Sequence, residues 1–245
     1  MPREGQRWAT LEELIGEGMR STVTAIEDGL FAVGSTPAFG IGQLGKLVCG
    51  SDGSVGNVFW DPPGFVDDAA VAAIAEHGPV VGIVASHPHM FGAQVEWSHR
   101  LGGVPVYVNT ADTDWLMRSD PVITHWSERV QLTRALSVVR VGGHFPGSAV
   151  ACWADGADGR GVLLAGDTIF PNPDRRTVSF LRSYPNRIPL SAAVVQRMAE
   201  TLAELRFDRI YGLFTNAIET DGAAAVRFSA DRHAAWVRGD YDHLT

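Results

Sequence analysis

Residues Val80 to Gly92, VVGIVASHPHMFG, decide how this chain is read. The run Val80, Val81, Ile83 and Val84 is β-branched, lacks polar alternation and stops abruptly, which predicts a fully buried strand. At its exit stand Ser86, His87, Pro88 and His89. Two imidazoles one residue apart aim at a common point if the backbone turns there, and Pro88 favours a rigid turn by fixing its own φ. Taken alone, the pair fits a surface loop as well as a metal site. Two motifs farther along the chain tip the balance.

Both of those motifs are strand ends with matching chemistry. In GGHFPGS (Gly142 to Ser148), glycines and Pro146 shape a loop that presents His144 between strands predicted at Leu136–Val141 and Ser148–Trp153. In LLAGDTIF (Leu163 to Phe170), a buried run ends in Asp167. Imidazole and carboxylate are the ligands that a borderline cation such as zinc prefers. Three imidazoles with an open position bring the pKa of bound water to about 7. A nearby carboxylate completes the shell or takes the proton of that water.

Around these segments the chain reads as helices and strands in alternation. Thr10 and Glu13 form a capping-box signature for a helix to Gly16. Leu44–Cys49 and Val55–Trp60, separated by Ser51-Asp52-Gly53, predict a β-hairpin. Helices are predicted over Phe65–His77, Gly92–Leu101, Ala111–Arg118, Ser191–Leu205 and Gly222–Val237, with strands at Val104–Asn109, Gly161–Ala165 and Arg209–Phe214. Residues Phe170 to Leu190 are loop-rich, with four prolines. Hairpins first and helices interleaved later predict one α/β domain of two packed sheets with helices outside, spanning residues 1–245.

The 245 residues are 45% hydrophobic and 20% charged, enough to bury a sizeable core, and the formal net charge is -8 with no basic run. That argues against nucleic acid or an anionic membrane as partner and leaves a small-molecule substrate. The charged N-terminal stretch lacks the apolar core of a secretory signal, and no run approaches a membrane span. Cys49 and Cys152 lack metal-type spacing and read as reduced, half-buried thiols, so the expected location is cytoplasmic.

In this order and spacing, the three motifs resemble the metallo-β-lactamase fold superfamily, from about Leu44 to Phe214. The resemblance implies a four-layer αβ/βα sandwich with a metal site at one sheet edge. His87 and His89 match the first two histidines of its His-x-His-x-Asp-His motif, GGHFPGS supplies His144, and Asp167 matches its bridging aspartate. Asp61, closing VGNVFWD, resembles the buried carboxylate that supports the metal-binding loop. Two departures stand out. Phe91-Gly92 replaces the motif's Asp-His, and YGLFTNAIE lacks the C-terminal histidine, with Phe214, Thr215 and Asn216 nearby. One metal position keeps its ligands while the second loses its own, which implies a mononuclear site. The SHPH-aromatic-Gly pattern is also similar to that of a bacterial subgroup described as metal-dependent hydrolases.

These readings predict a mononuclear zinc hydrolase that uses a metal-activated water on an ester, lactone, thioester or amide. His87, His89 and His144 would hold the metal, with Asp167 as fourth ligand or general base and Asp61 behind them. Iron is the alternative metal, with an oxidoreductase of the same fold, since a His/His/carboxylate face also suits non-haem iron. A non-catalytic binding protein is the third reading. In SFLRSYPNRIPL, Tyr184 and Asn186 are candidates to donate to an oxyanion, and Arg182 or Arg187 to pair with a carboxylate, against a proline-stapled connector with solvated arginines. His77, His99, His125, His233 and His243 read as surface or packing residues, and Glu96 as a solvated helix residue.

Overall fold

The computed structural model describes Gly5, residues 7–50 and residues 56–245. Helix α1 (Leu11–Gly16) starts with the capping box: Thr10 Oγ1 accepts from the Glu13 N–H and the Glu13 carboxylate accepts from the Thr10 N–H. A seven-stranded sheet then runs in chain order through β1 (Arg20–Glu27), β2 (Leu30–Thr36), β3 (Gly45–Val48), β4 (Asn57–Trp60), β5 (Val80–Val84), β6 (Val106–Asn109) and β7 (Ile123–Trp126). β1 to β4 are antiparallel neighbours, and β4 to β7 are parallel. Parallel neighbours need crossovers, and α2 (Asp68–Ala75) and α3 (Gln94–Arg100) supply the first two. β3 and β4 form the predicted hairpin, whose turn, residues 51–55, lies outside the described residues.

The second sheet contains β8 (Arg129–Gln131), β9 (Leu136–Arg140), β10 (Ala149–Trp153) and β11 (Val162–Leu164). After β10 comes a single turn, α4 (Gly156–Gly159). Two small ribbons follow β11, pairing β12 (Phe170–Pro171) with β13 (Val178–Ser179) and β14 (Leu181–Ser183) with β15 (Ile188–Pro189). Helix α5 (Ala192–Ala203), strands β16 (Arg209–Tyr211) and β17 (Ala217–Ile218), and helix α6 (Gly222–Val237) complete the chain, and the six strands stand in the order β17-β16-β11-β10-β9-β8.

Side-chain alternation of period two makes this a four-layer sandwich. Val58, Trp60 and Val84 of the first sheet meet Ala149, Ala151, Trp153, Val162 and Leu164 of the second in one buried cluster. Their chain neighbours point the other way. Phe59 and Ile83 pack with Ile74 of α2 and Trp97 of α3, and Val150 and Leu163 pack with Val195 and Met198 of α5 and Val226 of α6. Among the described residues, no helix is long and apolar enough to cross a membrane.

The expectation of a fully buried β5 needs one correction. Val81 is exposed, because the pairing with β4 jumps from Asn57↔Val80 to Val58↔Gly82 and leaves Val81 as the extra residue of a bulge. β6 begins to pair only at Ile83, beyond Val81. Several helices are shorter than their apolar runs: Phe65 and Val66 are buried before α2 begins at its Asp67 cap, and the predicted Ala111–Arg118 helix is a 3-10 turn over Thr110–Trp115. Cys49 and Cys152 are free and half-buried.

Candidate metal centre

Asp61, His87 and Asp167 follow the C-terminal ends of β4, β5 and β11, and His144 sits in the link between β9 and β10. Ligand crevices in α/β sheets form at such strand ends. After β5 the chain runs extended through His87 and enters a 3-10 turn over Pro88–Met90, with Pro88 at its first position, where no N–H is needed. The turn brings the His87 and His89 rings to 5.0 Å at 76°. The His144 ring stands 5.0 Å from His87 and 5.2 Å from His89. One donor atom from each of His87, His89, His144 and Asp167 lies within 4.8 Å of every other.

Hydrogen bonds settle which ring nitrogens face inward. His144 Nδ1 stands 3.2 Å from the Leu181 carbonyl. A carbonyl only accepts, so Nδ1 carries the proton and Nε2 is left with its lone pair, 3.4 Å from His89 Nδ1. His87 Nδ1 is 2.8 Å from Ser86 Oγ, which turns His87 Nε2 into the cluster. That Nε2 is fully buried with no hydrogen-bond partner, 3.7 Å from Asp167 Oδ2. Burial lowers the pKa of all three imidazoles, with His144 down to about 4, so they stand neutral at pH 7. A neutral His87 at 3.7 Å forms no ion pair with Asp167, whose own pKa burial raises to about 6. Convergent neutral imidazoles, a carboxylate and an orphaned buried nitrogen fit a borderline divalent cation.

Asp61 lies directly behind this cluster. Its Oδ1 accepts the Ser86 N–H at 2.6 Å, while Oδ2 is buried without a partner. Burial raises its pKa to about 7, with the Asp167 charge adding to the effect and hydrogen bonds from Ser86 opposing it. Lys46, also buried, donates to the Leu44 carbonyl at 2.8 Å, and burial lowers its pKa to about 8 against the pull of Asp61. Gly166, before Asp167, has φ +55, and a Cβ there would collide with Ser86, so only glycine allows the two strand ends to close.

The His144 loop is tied down from outside. Gly147 N–H donates to Asp112 Oδ1 at 2.8 Å, and a Cβ on Gly147 would lie 2.6 Å from Asp112 Oδ2. Phe145 N–H donates to Ser148 Oγ at 2.8 Å. The buried Phe145 ring lies 4.9 Å from His89 and 5.0 Å from His144, and the Arg182 guanidinium lies 5.4 Å over it. Ser86, Lys46, Asp112 and Phe145 had no role in the sequence reading. Lys46 alone carried a signal, a charge inside an otherwise apolar strand.

The cluster opens into a cavity of about 1030 Å³ whose wall includes Tyr184 and Arg182. Tyr184 OH donates to the Asp167 carbonyl at 2.9 Å, which commits its proton to the backbone. Arg182 Nη1 donates to the His144 carbonyl at 2.8 Å. Asn186 and Arg187 are exposed and absent from the cavity wall, and the Asn186 amide turns back to Ser183 Oγ. Beside the histidines, buried Ala85, Met90 and Leu213 form an apolar cluster with Phe91 and Phe214. Met90 and Phe214 line the cavity, whereas Phe91 packs between this cluster and the core under α3. Of the other histidines, His99 pairs with Asp120 at 3.1 Å, His77 stacks on Phe31, and His233 bonds the Leu190 carbonyl.

No family model matches the sequence. The chain is 35% identical over 242 residues to the Bacillus subtilis protein described as "Uncharacterized protein YmaE", a match covering 98% of this chain and 87% of that one. Its fold is similar to that of DIM-1 metallo-β-lactamase, with a TM-score of 0.65 at 16% identity over 89% of this chain and 98% of the other. The Pontibacter korlensis metallo-β-lactamase aligns with a TM-score of 0.60 at 14% identity over 87% and 99%. For FIM-1 of Pseudomonas aeruginosa in its mono-zinc form, the TM-score is 0.55 at 18% identity over 90% and 96%. Sheet order, the four strand-end residues and these likenesses agree: the chain has the fold of the metallo-β-lactamase superfamily and belongs to the same family as YmaE of Bacillus subtilis.

Proposed function

We propose that the protein is a metal-dependent hydrolase that holds one zinc ion and cleaves an ester, lactone, thioester or amide. The observation that carries this reading is the convergence of His87, His89, His144 and Asp167 donor atoms within 4.8 Å, with His87 Nε2 buried and otherwise unpartnered. The apolar group of Ala85, Met90, Leu213 and Phe214 beside the histidines supports a single ion, because it offers no imidazole or carboxylate to hold a second. The mono-zinc FIM-1 structure, of the same fold, supports zinc.

When bound, such an ion supplies Lewis acidity, lowering the pKa of water and polarising a carbonyl oxygen. The chain's own residues do the rest. Ser86 and the Leu181 carbonyl fix the His87 and His144 rings with Nε2 inward. Asp167 stands largely ionised at neutral pH, so a carboxylate oxygen can accept the proton of the attacking water and return it to the leaving group. Tyr184 holds the Asp167 backbone in place, which makes it a positioning residue rather than an oxyanion donor. Asp61 keeps the Ser86–Met90 turn seated through the Ser86 N–H.

Elemental analysis of protein purified without added metal, beside hydrolysis of para-nitrophenyl esters by the same sample, tests the reading. About one zinc per chain with activity removed by a chelator is expected. Two tightly held ions, or no metal in an intact fold, would overturn it, and iron in place of zinc would favour an oxidoreductase.

A further inference from the structure

The polar cluster occupies one end of the cavity, and apart from Gln43, Arg182, Ser183 and Tyr184 the side chains of the remaining wall are apolar and come from separate parts of the chain. Phe39 and Ile41 come from the β2–β3 loop, Met90 follows β5, Phe170 begins β12, Ile188 lies in β15 and Phe214 follows β16. The aromatic part of this wall is held in place. Phe170 packs 5.3 Å from the Tyr184 ring and 6.2 Å from Phe214, and Phe39 packs with Leu14 and Phe65. At the mouth, Ile41 is 63% and Ile188 48% exposed, large apolar side chains left substantially open to solvent. Among the described residues lining the cavity, Arg182 is the one side chain with a permanent positive charge. It is already engaged, donating to the His144 carbonyl and lying over Phe145.

From this arrangement we infer that the substrate is a neutral ester or thioester carrying a long unbranched apolar chain, seated along Phe39, Ile41, Phe170, Ile188 and Phe214 with its carbonyl at the histidine end. The placement of the carbonyl rests on the hydrolase reading, and the placement of the chain rests on the cavity wall alone. Hydrocarbon seated in a largely apolar cavity of about 1030 Å³ takes apolar surface out of water on both sides, which is favourable. A chain seated there covers Ile41 and Ile188. A compact polar or anionic substrate would leave this surface wet and find no unengaged cation along it.

Two measurements separate the inference from the hydrolase reading. The first needs no chemistry: straight-chain primary alcohols displace Nile red from the metal-loaded protein, and affinity should rise about threefold to fourfold with each added methylene until the cavity is filled. Ile41→Asp and Ile188→Asp, at exposed positions that the fold does not need, should each weaken binding of the longest alcohol at least tenfold with metal content unchanged. Phe228→Asp, on the exposed surface of α6, should not. The second compares kcat/KM for para-nitrophenyl acetate, hexanoate and dodecanoate, which should rise along the series. Alcohol binding that does not depend on length, or that survives both isoleucine variants, overturns the inference. Hydrolysis at equal efficiency across the esters also overturns it while leaving the hydrolase reading intact. Length-dependent binding with no ester cleaved upholds the cavity and overturns the hydrolase reading.

Discussion

Replacing Asp61 with Asn should make the metal-free protein more resistant to rising pH. Asp61 is wholly buried, Oδ2 lacks a partner, and burial raises the pKa from 3.8 to about 7. A folded-state pKa above the unfolded value means that folding favours the protonated acid. Its contribution to stability is complete below about pH 3.8 and is lost as pH rises through about 7. Moving a carboxyl between those values corresponds to about 4 kcal/mol. Asn cannot ionise, so the variant escapes that loss. Its amide nitrogen, in the place of Oδ2, adds a roughly pH-independent cost of about 1–3 kcal/mol for an unsatisfied donor. The diagnostic quantity is therefore the slope. Urea unfolding of chelator-treated protein, followed by tryptophan fluorescence, should show the variant gaining about 4 kcal/mol relative to the parent between about pH 4 and about pH 8. Parallel curves for the two proteins would refute the reasoning and mean that Lys46 and the hydrogen bonds from Ser86 offset burial and leave the carboxyl at its ordinary pKa.

Ser86→Ala removes the partner of His87 Nδ1 and should weaken zinc binding by about tenfold to a hundredfold, measured by competition with a chelating dye. His144→Ala should abolish metal retention after gel filtration, whereas His99→Ala, which removes only a contact to Asp120, should retain the parent stoichiometry. Burial pushes the Cys49 thiol up to about 11 and raises that of Cys152, so iodoacetamide at neutral pH should label both slowly in the folded protein and rapidly in denaturant, as mass spectrometry would show.

The strands that carry the candidate metal-site residues were legible because their burial and their chemistry are written in the same residues. Val80–Val84 before SHPH, and Leu163–Ala165 before Gly-Asp, are apolar runs that stop at a polar group. β1 was not legible, because RSTVTAIE forms the edge of its sheet, keeps no apolar face in sequence and owes its place to pairing with β2. β14 and β15 were hidden in a proline-rich stretch read as loop, where their residues are mostly exposed and pairing supplies the order. Tyr184 showed its neighbourhood in sequence, but not that its hydroxyl would face the Asp167 carbonyl, a contact made across 17 residues. Phe91 was expected beside the site, yet the 3-10 turn that aligns His89 sends Met90 toward the cavity and Phe91 toward α3. Buried Asp112 acts through Gly147, 35 residues along the chain, so spacing could not reveal it.

His87 and His89 ride on the first sheet, whereas His144 and Asp167 ride on the second. An ion shared among them is a clasp between the two halves of the sandwich, and its grip reports how those halves are stacked. The layer between them is built around Trp60 and Trp153 from opposite sheets. Thinning that layer, as by Trp153→Leu, lets the sheets settle against each other and moves the two pairs of ligands out of register. If the site holds a metal as proposed, its affinity would also be a readout of core packing: it would fall through a residue that touches no ligand, and bound metal would in turn hold a loosened core to its proper thickness.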